Sequence, residues 1–240
     1  MSTRRINLWS CPRNISTAMM YSFAQRSDTR VFDEPLYGYF LYQTGVDRPD
    51  RKASMKVMEL DGNRVIKEVL LGDYPEEVLF YKHISNHLTG LELDFLDQMQ
   101  GHILFIRDPA EIIASYSKVI SHPTIDDVAM EHSTRLYDTL QGKGLNPLVL
   151  DSADFLRNPA GMMQTLCEKL GIPYQAGMLK WEAGARPEDG PWAEYWYDNV
   201  HKSTGFSPYQ AKEIQLTGHL AELEARCRPH YDYLRAFRLR

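Results

Sequence analysis

The chain has 240 residues, with 27 Lys and Arg against 32 Asp and Glu, which gives a formal net charge of −5. Hydrophobic residues make up 43% and charged residues 25%, and these near-average values argue against disordered, collagen-like and coiled-coil classes. The mild acidity argues against general nucleic-acid binding, which depends on clustered Lys and Arg.

The first predicted unit is a strand, a tight turn and a helix. Residues 6–10 form a short apolar run that predicts a buried strand, residues 11–14 interrupt it, and residues 15–25 have the pattern of a helix. A strand, a turn and a helix in this order are typical of the first unit of an α/β nucleotide-binding fold.

The rest of the chain continues in the same alternating style. Further strands are predicted at residues 30–32, 78–81, 102–106 and 147–150, and helices at residues 36–42, 54–59, 63–71, 110–119, 125–140, 159–170 and 208–227. We see no repeat, low-complexity segment or linker. The sequence therefore predicts one α/β domain over residues 1–240, with helices on both sides of a central, mostly parallel sheet.

The turn after the first strand is the first candidate site. A strand that leads into a helix through a tight turn directs free backbone N–H groups to one point, where the helix dipole adds about half a positive charge. Arg13 and the hydroxyls of Ser16 and Thr17 would complete a phosphate site. The Walker A pattern GxxxxGK[ST] is absent, which disfavours ordinary P-loop ATP hydrolysis. An ordinary helix start with an exposed arginine has the same pattern.

The second candidate site combines Arg107 with Ser115, eight residues later. Because the strand over residues 102–106 ends at Arg107, this side chain is expected at the carboxyl edge of the sheet, where open α/β folds bind ligands. An arginine fork and a hydroxyl that converge in this way suit one anion. A surface arginine followed by an unrelated serine would give the same sequence pattern.

Taken together, the two motifs resemble those of sulfotransferases that use 3′-phosphoadenosine 5′-phosphosulfate (PAPS). The 5′-phosphosulfate loop of that family reads roughly Pro-Lys/Arg-Ser-Gly-Thr-Thr, and the 3′-phosphate motif has Arg, then Pro, then Ser and Tyr. The first motif matches at Pro12, Arg13, Ser16 and Thr17, and the second at Arg107, Pro109, Ser115 and Tyr116. The stretch 151–173 resembles the family's late pattern, and the turn at residues 202–205 resembles a shortened Gly-rich lid.

The resemblance covers nearly the whole chain, fits the smaller bacterial-type members best, and implies their P-loop-like sulfotransferase fold. The implied activity is transfer of the sulfuryl group from PAPS to a hydroxyl or amine of a small-molecule acceptor, with 3′-phosphoadenosine 5′-phosphate (PAP) as product. The implied nucleotide-binding residues are Pro12, Arg13, Asn14, Ile15, Ser16, Thr17, Arg107, Ser115, Lys202, Ser203, Thr204 and Gly205. Arg13 would stabilise the bridging oxygen, Ser16 and Thr17 would hold the 5′-phosphate, and Arg107 and Ser115 would bind the 3′-phosphate.

The chain offers several candidates for the base that removes the acceptor proton. Lys82 and His83 are expected directly after the predicted central strand, with His87 four residues later. A neutral imidazole is available at pH 7, and Lys82 would add positive charge near the sulfuryl oxygens. Asp33 and Glu34 are rival bases or a helix cap. The choice among His83, His87, Asp33 and Glu34 stays open, and no metal site is predicted.

Aromatic residues form two groups. Tyr37, Tyr39, Phe40 and Tyr42 have helical spacing and fit a core. Trp192, Tyr195, Trp196 and Tyr197 lie in a Pro- and Gly-rich stretch, which is typical of a flexible lid over an apolar acceptor. We therefore expect Glu34, Tyr37, Trp192 and Trp196 at the acceptor.

Two other function classes remain. One is a nucleotide-dependent kinase or phosphotransferase, although the P-loop lysine is missing. The other is a non-catalytic nucleotide-binding homologue, because Ile15 stands where the family has a loop glycine, and a side chain there could crowd the close approach of phosphates.

Cysteine spacing and hydropathy bear on the compartment. The cysteines Cys11, Cys167 and Cys227 contain no CxxC pair, which favours reduced thiols. The chain begins without a signal-peptide pattern and has no apolar stretch of roughly 18 residues. We expect a cytoplasmic protein without nucleic-acid or membrane partners, whose oligomeric state the sequence leaves open.

Overall fold

A five-stranded, fully parallel sheet organises the computed structural model, which describes residues 3–240. The strands are β1 (Arg4–Ser10), β2 (Thr29–Asp33), β3 (Val78–Ile84), β4 (Gly101–Ile106) and β5 (Leu148–Asp151). They lie in the order β2-β3-β1-β4-β5, so β1 is central. Because all strands run the same way, the segments that follow them meet at one edge of the sheet.

Helices cover both faces of this sheet, as predicted. They are α1 (Ser16–Phe23), α2 (Tyr37–Thr44), α3 (Arg51–Val57), α4 (Gly62–Val65), α5 (Pro109–Tyr116), α6 (Ile125–Val128), α7 (Met130–Gly142), α8 (Ser152–Arg157), α9 (Pro159–Leu170), α10 (Ala193–Trp196), α11 (Asp198–His201) and α12 (His219–Ala236). A π-helical turn at Ile66–Leu70 continues α4, and 3₁₀ turns lie at Ser85–Leu88, Asp94–Gln98 and Ala176–Leu179.

The alternation of side chains along β1 builds two cores, one on each face. Ile6 and Leu8 pack into a cluster with helices α1 and α9, whereas Trp9 points to the opposite cluster with α5, α7 and α12. All three side chains are fully buried. This two-sided burial explains why residues 6–9 of β1 carry apolar side chains on both faces of the strand.

The predicted end of β3 was wrong. The strand runs to Ile84 and all seven of its residues are buried, so Lys82 and His83 lie inside it rather than after it. The strand is also not the central one, because β1 lies between β3 and β4. The sequence pattern placed the end of the strand before Lys82 because a lysine interrupts an apolar run. In the fold, the Lys82 ammonium is paired with two carboxylates, and its burial is therefore tolerated.

The last helix was predicted at residues 208–227 and lies instead at His219–Ala236. Pro208 resembles a helix start, yet the chain remains irregular up to Gly218, whose φ of 55° is in the left-handed region. The second half of α12 packs on the sheet through buried Tyr231, whose hydroxyl donates to Asp151 at 2.7 Å.

Two smaller differences concern helix ends. The predicted helix over residues 125–140 is broken at Ala129, which has a φ of 58° and separates α6 from α7. Helix α8 was not predicted; it begins where the Asp151 carboxylate accepts bonds from the N–H groups of Ala153 and Asp154. Helix α9 matches its predicted bounds and ends at Gly171 in the left-handed conformation.

Within residues 3–240, no helix combines the length and apolar character needed to cross a bilayer. The three cysteines are buried and unpaired with one another.

Candidate functional site

A cavity of about 570 Å³ opens at the carboxyl edge of the sheet. Its walls come from the loop after β1, the ends of β2 and β3, helices α2 and α5, and residues 192–207. This is the position at which open α/β sheets bind ligands. Both predicted phosphate motifs therefore line one cavity.

Asn14 fixes the loop after β1 to the end of β4. Its amide Nδ2 donates to the carbonyl of Phe105 at the end of β4 (2.8 Å), and its Oδ1 accepts from the N–H of Ile15 (2.8 Å). Helix α1 then leaves the N–H groups of Ser16 and Thr17 without intrahelical partners, as at every helix start. These groups lie in the cavity wall, so the loop presents an anion site.

The replacement of the family's loop glycine does not strain this loop. Ile15 has a φ of −88°, which any residue adopts, and its side chain packs against the core cluster that contains α1. The left-handed residue is Arg13, with a φ of 56°. This conformation is uncommon for a residue other than glycine, and it is found here at the residue whose side chain enters the site.

Three contacts orient Arg13. Its Nε donates to Ser115 Oγ at 3.1 Å, its Nη1 donates to the carbonyl of Trp196 at 3.0 Å, and its carbonyl accepts from Arg107 Nη1 at 2.5 Å. Burial and the nearby charge of Arg107 lower the pKa of Arg13. Two guanidinium groups and a hydroxyl thus meet in one place, which favours a bound anion.

Arg107 also has an acidic neighbour. Its Nη2 lies 2.6 Å from Glu111 Oε2, one turn along α5, and its Nε donates to the same oxygen at 2.8 Å. The carboxylate compensates the guanidinium charge in the cavity. A phosphate that binds Arg107 must compete with Glu111 for these two donors.

A buried ionic network occupies the opposite side of the cavity. Lys82 Nζ donates to Asp33 Oδ1 at 2.9 Å, to Glu34 Oε1, and to the hydroxyl of Tyr197 at 2.7 Å. The Tyr197 hydroxyl lies 2.7 Å from Asp33 Oδ2 and accepts from Trp192 Nε1 at 3.0 Å. All three N–H groups of the ammonium are therefore used.

Glu34 is the carboxyl group of this network that lines the cavity, next to Lys82 and Tyr197, whereas Asp33 does not line it. Burial raises the pKa of Glu34 to about 7, opposed by Lys82 and reinforced by the charge of Asp33. Its Oε2 lies 3.9 Å from His87 Nε2. A carboxyl group with a pKa near neutrality has the property expected of a general base.

The two histidines are in different environments. His87 lines the cavity, and burial lowers its pKa well below the ordinary value. His83 does not line the cavity: its ring stacks on Trp9 with centroids 4.2 Å apart, and its Nε2 lies 3.2 Å from Asn7 Oδ1. Burial lowers the pKa of His83 to about 3. The structure therefore separates His83 from the other site candidates.

Only part of the turn at residues 202–205 contributes to the cavity wall. Ser203 and Gly205 line the cavity, whereas Lys202 and Thr204 do not. The Lys202 ammonium is exposed and pairs with Asp198 at 2.6 Å. Ser203 Oγ accepts from Trp181 Nε1 at 3.1 Å, which fixes the turn.

The predicted aromatic groups divide between cavity wall and surface. Tyr37, Phe40, Trp192 and Trp196 line the cavity, whereas Tyr42 and Tyr195 are exposed at 61% and 43%. In the described residues 3–240, no three His, Cys, Asp or Glu side chains are arranged to hold a metal ion.

The family follows from a comparison with known domains. A model of the sulfotransferase domain matches residues 4–236. The chain belongs to the sulfotransferase family.

Two curated relatives of this sulfotransferase have names that refer to aminotransferases. It is 41% identical over 232 residues to "Branched-chain-amino-acid aminotransferase-like protein 2" of Arabidopsis thaliana and 42% identical over 233 residues to "Branched-chain-amino-acid aminotransferase-like protein 1" of the same plant. Each match covers 96% of this chain and 41% of the relative. The chain thus spans about two fifths of the length of these curated relatives.

Solved structures share the fold at low sequence identity. The sulfotransferase domain from the curacin biosynthetic pathway aligns with a TM-score of 0.57 at 16% identity, covering 100% of this chain and 99% of that one. The sulfotransferase domain of the Synechococcus PCC 7002 olefin synthase gives 0.56 at 14% identity, with 94% of each chain covered. The Alicyclobacillus acidocaldarius sulfotransferase gives 0.53 at 12% identity, covering 98% of this chain and 95% of that one.

Several cavity residues of the sulfotransferase were missed in the sequence. Arg48 donates a hydrogen bond to Asp127, 79 residues later in the sequence, and both side chains line the cavity. Tyr197 was noted only as one aromatic in a group. In the sequence, Arg48 stands in the charged stretch at residues 47–51, whose composition is typical of an ordinary polar loop.

Proposed function

We propose that this sulfotransferase moves the sulfuryl group of PAPS to a hydroxyl or amine of a small acceptor and releases PAP. The observation that carries the proposal is that Arg13, Arg107 and Ser115 contact one another in a cavity that the first turn of α1 also lines. These groups come from two segments about 100 residues apart in sequence, and their common chemistry is the binding of anionic oxygens.

The residues present fit a doubly phosphorylated nucleotide. The loop N–H groups with Ser16 and Thr17 suit the 5′-phosphate, whereas Arg107 and Ser115 suit the 3′-phosphate that distinguishes PAPS from ADP-like ligands. The cavity is also lined by the exposed cations Lys118 and Lys212. PAPS supplies the electrophilic sulfur and a phosphate leaving group.

In sulfuryl transfer, as in phosphoryl transfer, the main contributions of the protein are to position the reactants and to stabilise the developing charge. The acceptor oxygen or nitrogen forms a bond to sulfur, the bond from sulfur to the 5′-phosphate oxygen breaks with its electron pair, and the acceptor proton moves to a base. Arg13 stabilises the developing charge on the leaving oxygen, since its guanidinium is held between α5 and Trp196.

The base is best assigned to Glu34. Its carboxylate faces the cavity with a pKa of about 7, close to the value at which proton transfer at neutral pH is efficient. His87 is the alternative, because it lines the same wall, but its lowered pKa makes it a weaker base. His83 packs in the core, and we assign it a structural role.

Lys82 is better described as a partner of the acidic pair than as a ligand of the sulfuryl oxygens. Its three N–H groups donate to Asp33, Glu34 and Tyr197. A fourth acceptor would have to displace one of these buried partners, which costs the interaction and leaves a polar group unpaired. Its charge still contributes to the potential in the cavity.

A thermal-shift titration with PAP, adenosine 5′-phosphate and ATP–Mg²⁺ tests the proposal. A ligand present at about 100 times its Kd stabilises the folded state by about 2.7 kcal/mol, which raises Tm measurably. We expect a shift with PAP that clearly exceeds the shift with adenosine 5′-phosphate. No shift with PAP would overturn the donor assignment, and a shift only with ATP–Mg²⁺ would favour a kinase. PAP binding without transfer in a broad acceptor screen would favour the non-catalytic class.

A further inference from the structure

Residues 181–206, here called the cover segment, form a loop whose two ends lie side by side. Lys180 and Gly205 form an isolated antiparallel bridge, and the N–H of Trp181 donates to the carbonyl of Thr204 at 3.1 Å. Beyond this closed base, the segment carries α10 and α11 and brings Trp192, Trp196 and Tyr197 to the cavity. The cover segment is thus attached to the fold at its base and reaches over the site.

Tyr197 makes the most enclosed contact between the cover segment and the ends of the strands. Its side chain is buried, and its hydroxyl is within hydrogen-bond distance of Asp33 (2.7 Å), Lys82 (2.7 Å) and Trp192 Nε1 (3.0 Å). A phenol has one donor and two acceptor positions. Donation to Asp33 and acceptance from Lys82 and Trp192 use all of them, so this hydroxyl is fully satisfied in one arrangement.

These bonds determine what remains available to the substrate. Asp33 is engaged by Lys82 and Tyr197, and Lys82 has no free N–H group. Glu34 Oε1 accepts from Lys82, whereas no hydrogen bond within residues 3–240 involves Oε2, which has His87 at 3.9 Å. Glu34 is therefore the carboxylate with an acceptor position left for a substrate proton.

We propose that Tyr197 is a positioning residue: its hydroxyl holds Asp33 and Lys82 in place when the cover segment is closed, and thereby leaves Glu34 as the group that receives the acceptor proton. The inference rests on the proposed function for its catalytic meaning, whereas the network itself is independent of turnover. Without the phenol, Lys82 loses one acceptor and Asp33 loses one donor, both in a buried site where unpaired polar groups are costly.

Several charged and titratable groups surround Glu34. Lys82 and Asp33 come from the strands, Asp50 from the start of α3, His87 from the turn after β3, and Tyr197 from the cover segment. The charge of Glu34 in turn helps to raise the pKa of Tyr116 on α5 and of Tyr37 on α2, so both neighbouring phenols stay neutral. Desolvation is the largest cause of its raised pKa. Loss of the Tyr197 hydroxyl loosens the cover over this carboxyl and turns Lys82 toward it, and both changes lower the pKa of Glu34.

The test is a ¹³C NMR titration of protein labelled at glutamate Cδ, with the Glu34 signal assigned by its loss in Glu34→Gln. We expect the Glu34 signal to titrate near pH 7 in the unsubstituted protein and below about pH 6 in Tyr197→Phe, as burial decreases. Tyr195→Phe is the matched control, because Tyr195 is exposed two residues away, and it should leave the midpoint unchanged. A Glu34 midpoint that is unchanged or higher in Tyr197→Phe, or ordinary in the unsubstituted protein, would overturn the proposal.

A second variant and a kinetic readout complete the experiment. Trp192→Phe removes the donor from Nε1 to the Tyr197 hydroxyl, together with part of the ring that packs against Tyr37, and should move the midpoint in the same direction by a smaller amount. This variant decides the question if Tyr197→Phe does not fold, and an unchanged midpoint would then overturn the proposal. Where transfer is observed, Tyr197→Phe should lower kcat about tenfold or more and leave the Kd for PAP unchanged, as expected for a loss confined to positioning. Failure of PAP to bind would reject the proposed function, whereas the NMR result tests the network alone.

Discussion

Nε of Arg13 donates to Oγ of Ser115 at 3.1 Å, which joins the loop after β1 to the last turn of α5. The sequence placed these residues in two separate motifs, one for each phosphate of a nucleotide. Their direct contact means that the two motifs form one continuous part of the cavity wall, and substitution of either residue will affect the orientation of the other.

Arg13→Ala should lower kcat by a factor of about 10² or more, because the guanidinium is positioned to stabilise the leaving oxygen. Steady-state kinetics with PAPS and an acceptor found by screening measure this change. Arg64→Ala is the matched control, since Arg64 forms ion pairs on the exposed surface with Glu59 and Glu68. Equal effects of the two substitutions would contradict a role for Arg13 in catalysis.

The combined Arg107→Ala and Ser115→Ala protein should bind PAP about 10 to 100 times more weakly, as expected when charge-assisted hydrogen bonds are lost. Binding of adenosine 5′-phosphate should change much less, because it lacks the 3′-phosphate. Isothermal titration calorimetry compares the two ligands directly. Equal losses for both would show that these residues do not read the 3′-phosphate.

Glu111→Gln should act in the opposite direction and tighten PAP binding. The carboxylate of Glu111 now occupies two donors of Arg107, and the neutral amide competes less well for them. The same calorimetric experiment gives the result. A weaker affinity for PAP in Glu111→Gln would indicate that Glu111 orients Arg107 rather than competing with the phosphate.

Glu34→Gln should lower kcat by about 10² or more if this group is the general base. In the unsubstituted enzyme, kcat/KM should rise with pH through about 7, because the carboxyl must be ionised to accept a proton and its pKa is raised to that value. His87→Asn should retain this limb of the pH profile. Loss of the limb in His87→Asn, with Glu34→Gln still active, would transfer the assignment to His87.

His83 should affect acid stability rather than the pH profile. Burial lowers its pKa to about 3, below the unfolded value of about 6.5, so the unfolded chain binds more protons and stability is lost as pH falls through 6.5. The loss attributable to His83 between pH 7 and pH 5 is about 2 kcal/mol. The free energy of unfolding, measured in urea at both pH values, should depend less on pH in His83→Gln than in the unsubstituted protein. His219→Gln, at an exposed position, is the control and should leave this pH dependence unchanged.

The sequence predicted the order of strands and helices well, because apolar runs such as residues 6–10 and 102–106 mark strands buried on both faces. It also located the loop after β1 and the Arg107–Ser115 motif, where the spacing along the chain is short. The predictions failed at Lys82 and His83, because the partners that permit their burial, Asp33 and Trp9, are distant in sequence.

The same limit explains the site residues that were missed. Arg48 meets Asp127 and Tyr197 meets Asp33 only after the chain has folded, so no local pattern distinguishes them from ordinary polar or aromatic residues. Local spacing can identify a loop that binds phosphate. It does not identify a buried network whose members lie on three separate segments, at residues 33–34, 82 and 192–197.

The closed base of residues 181–206 has a consequence for how this protein could diversify. Because the bridge between Lys180 and Gly205 brings the two ends together, the intervening residues can be exchanged or lengthened as one cassette without changing the register of the sheet, much as insertions are tolerated in surface loops with adjacent ends. Arg13, Arg107 and Ser115, the residues proposed to bind the phosphates, lie outside that cassette. Libraries that vary this cassette but keep Trp196 and Tyr197, which hold Arg13 and the buried ionic network, would therefore change the wall that faces the acceptor.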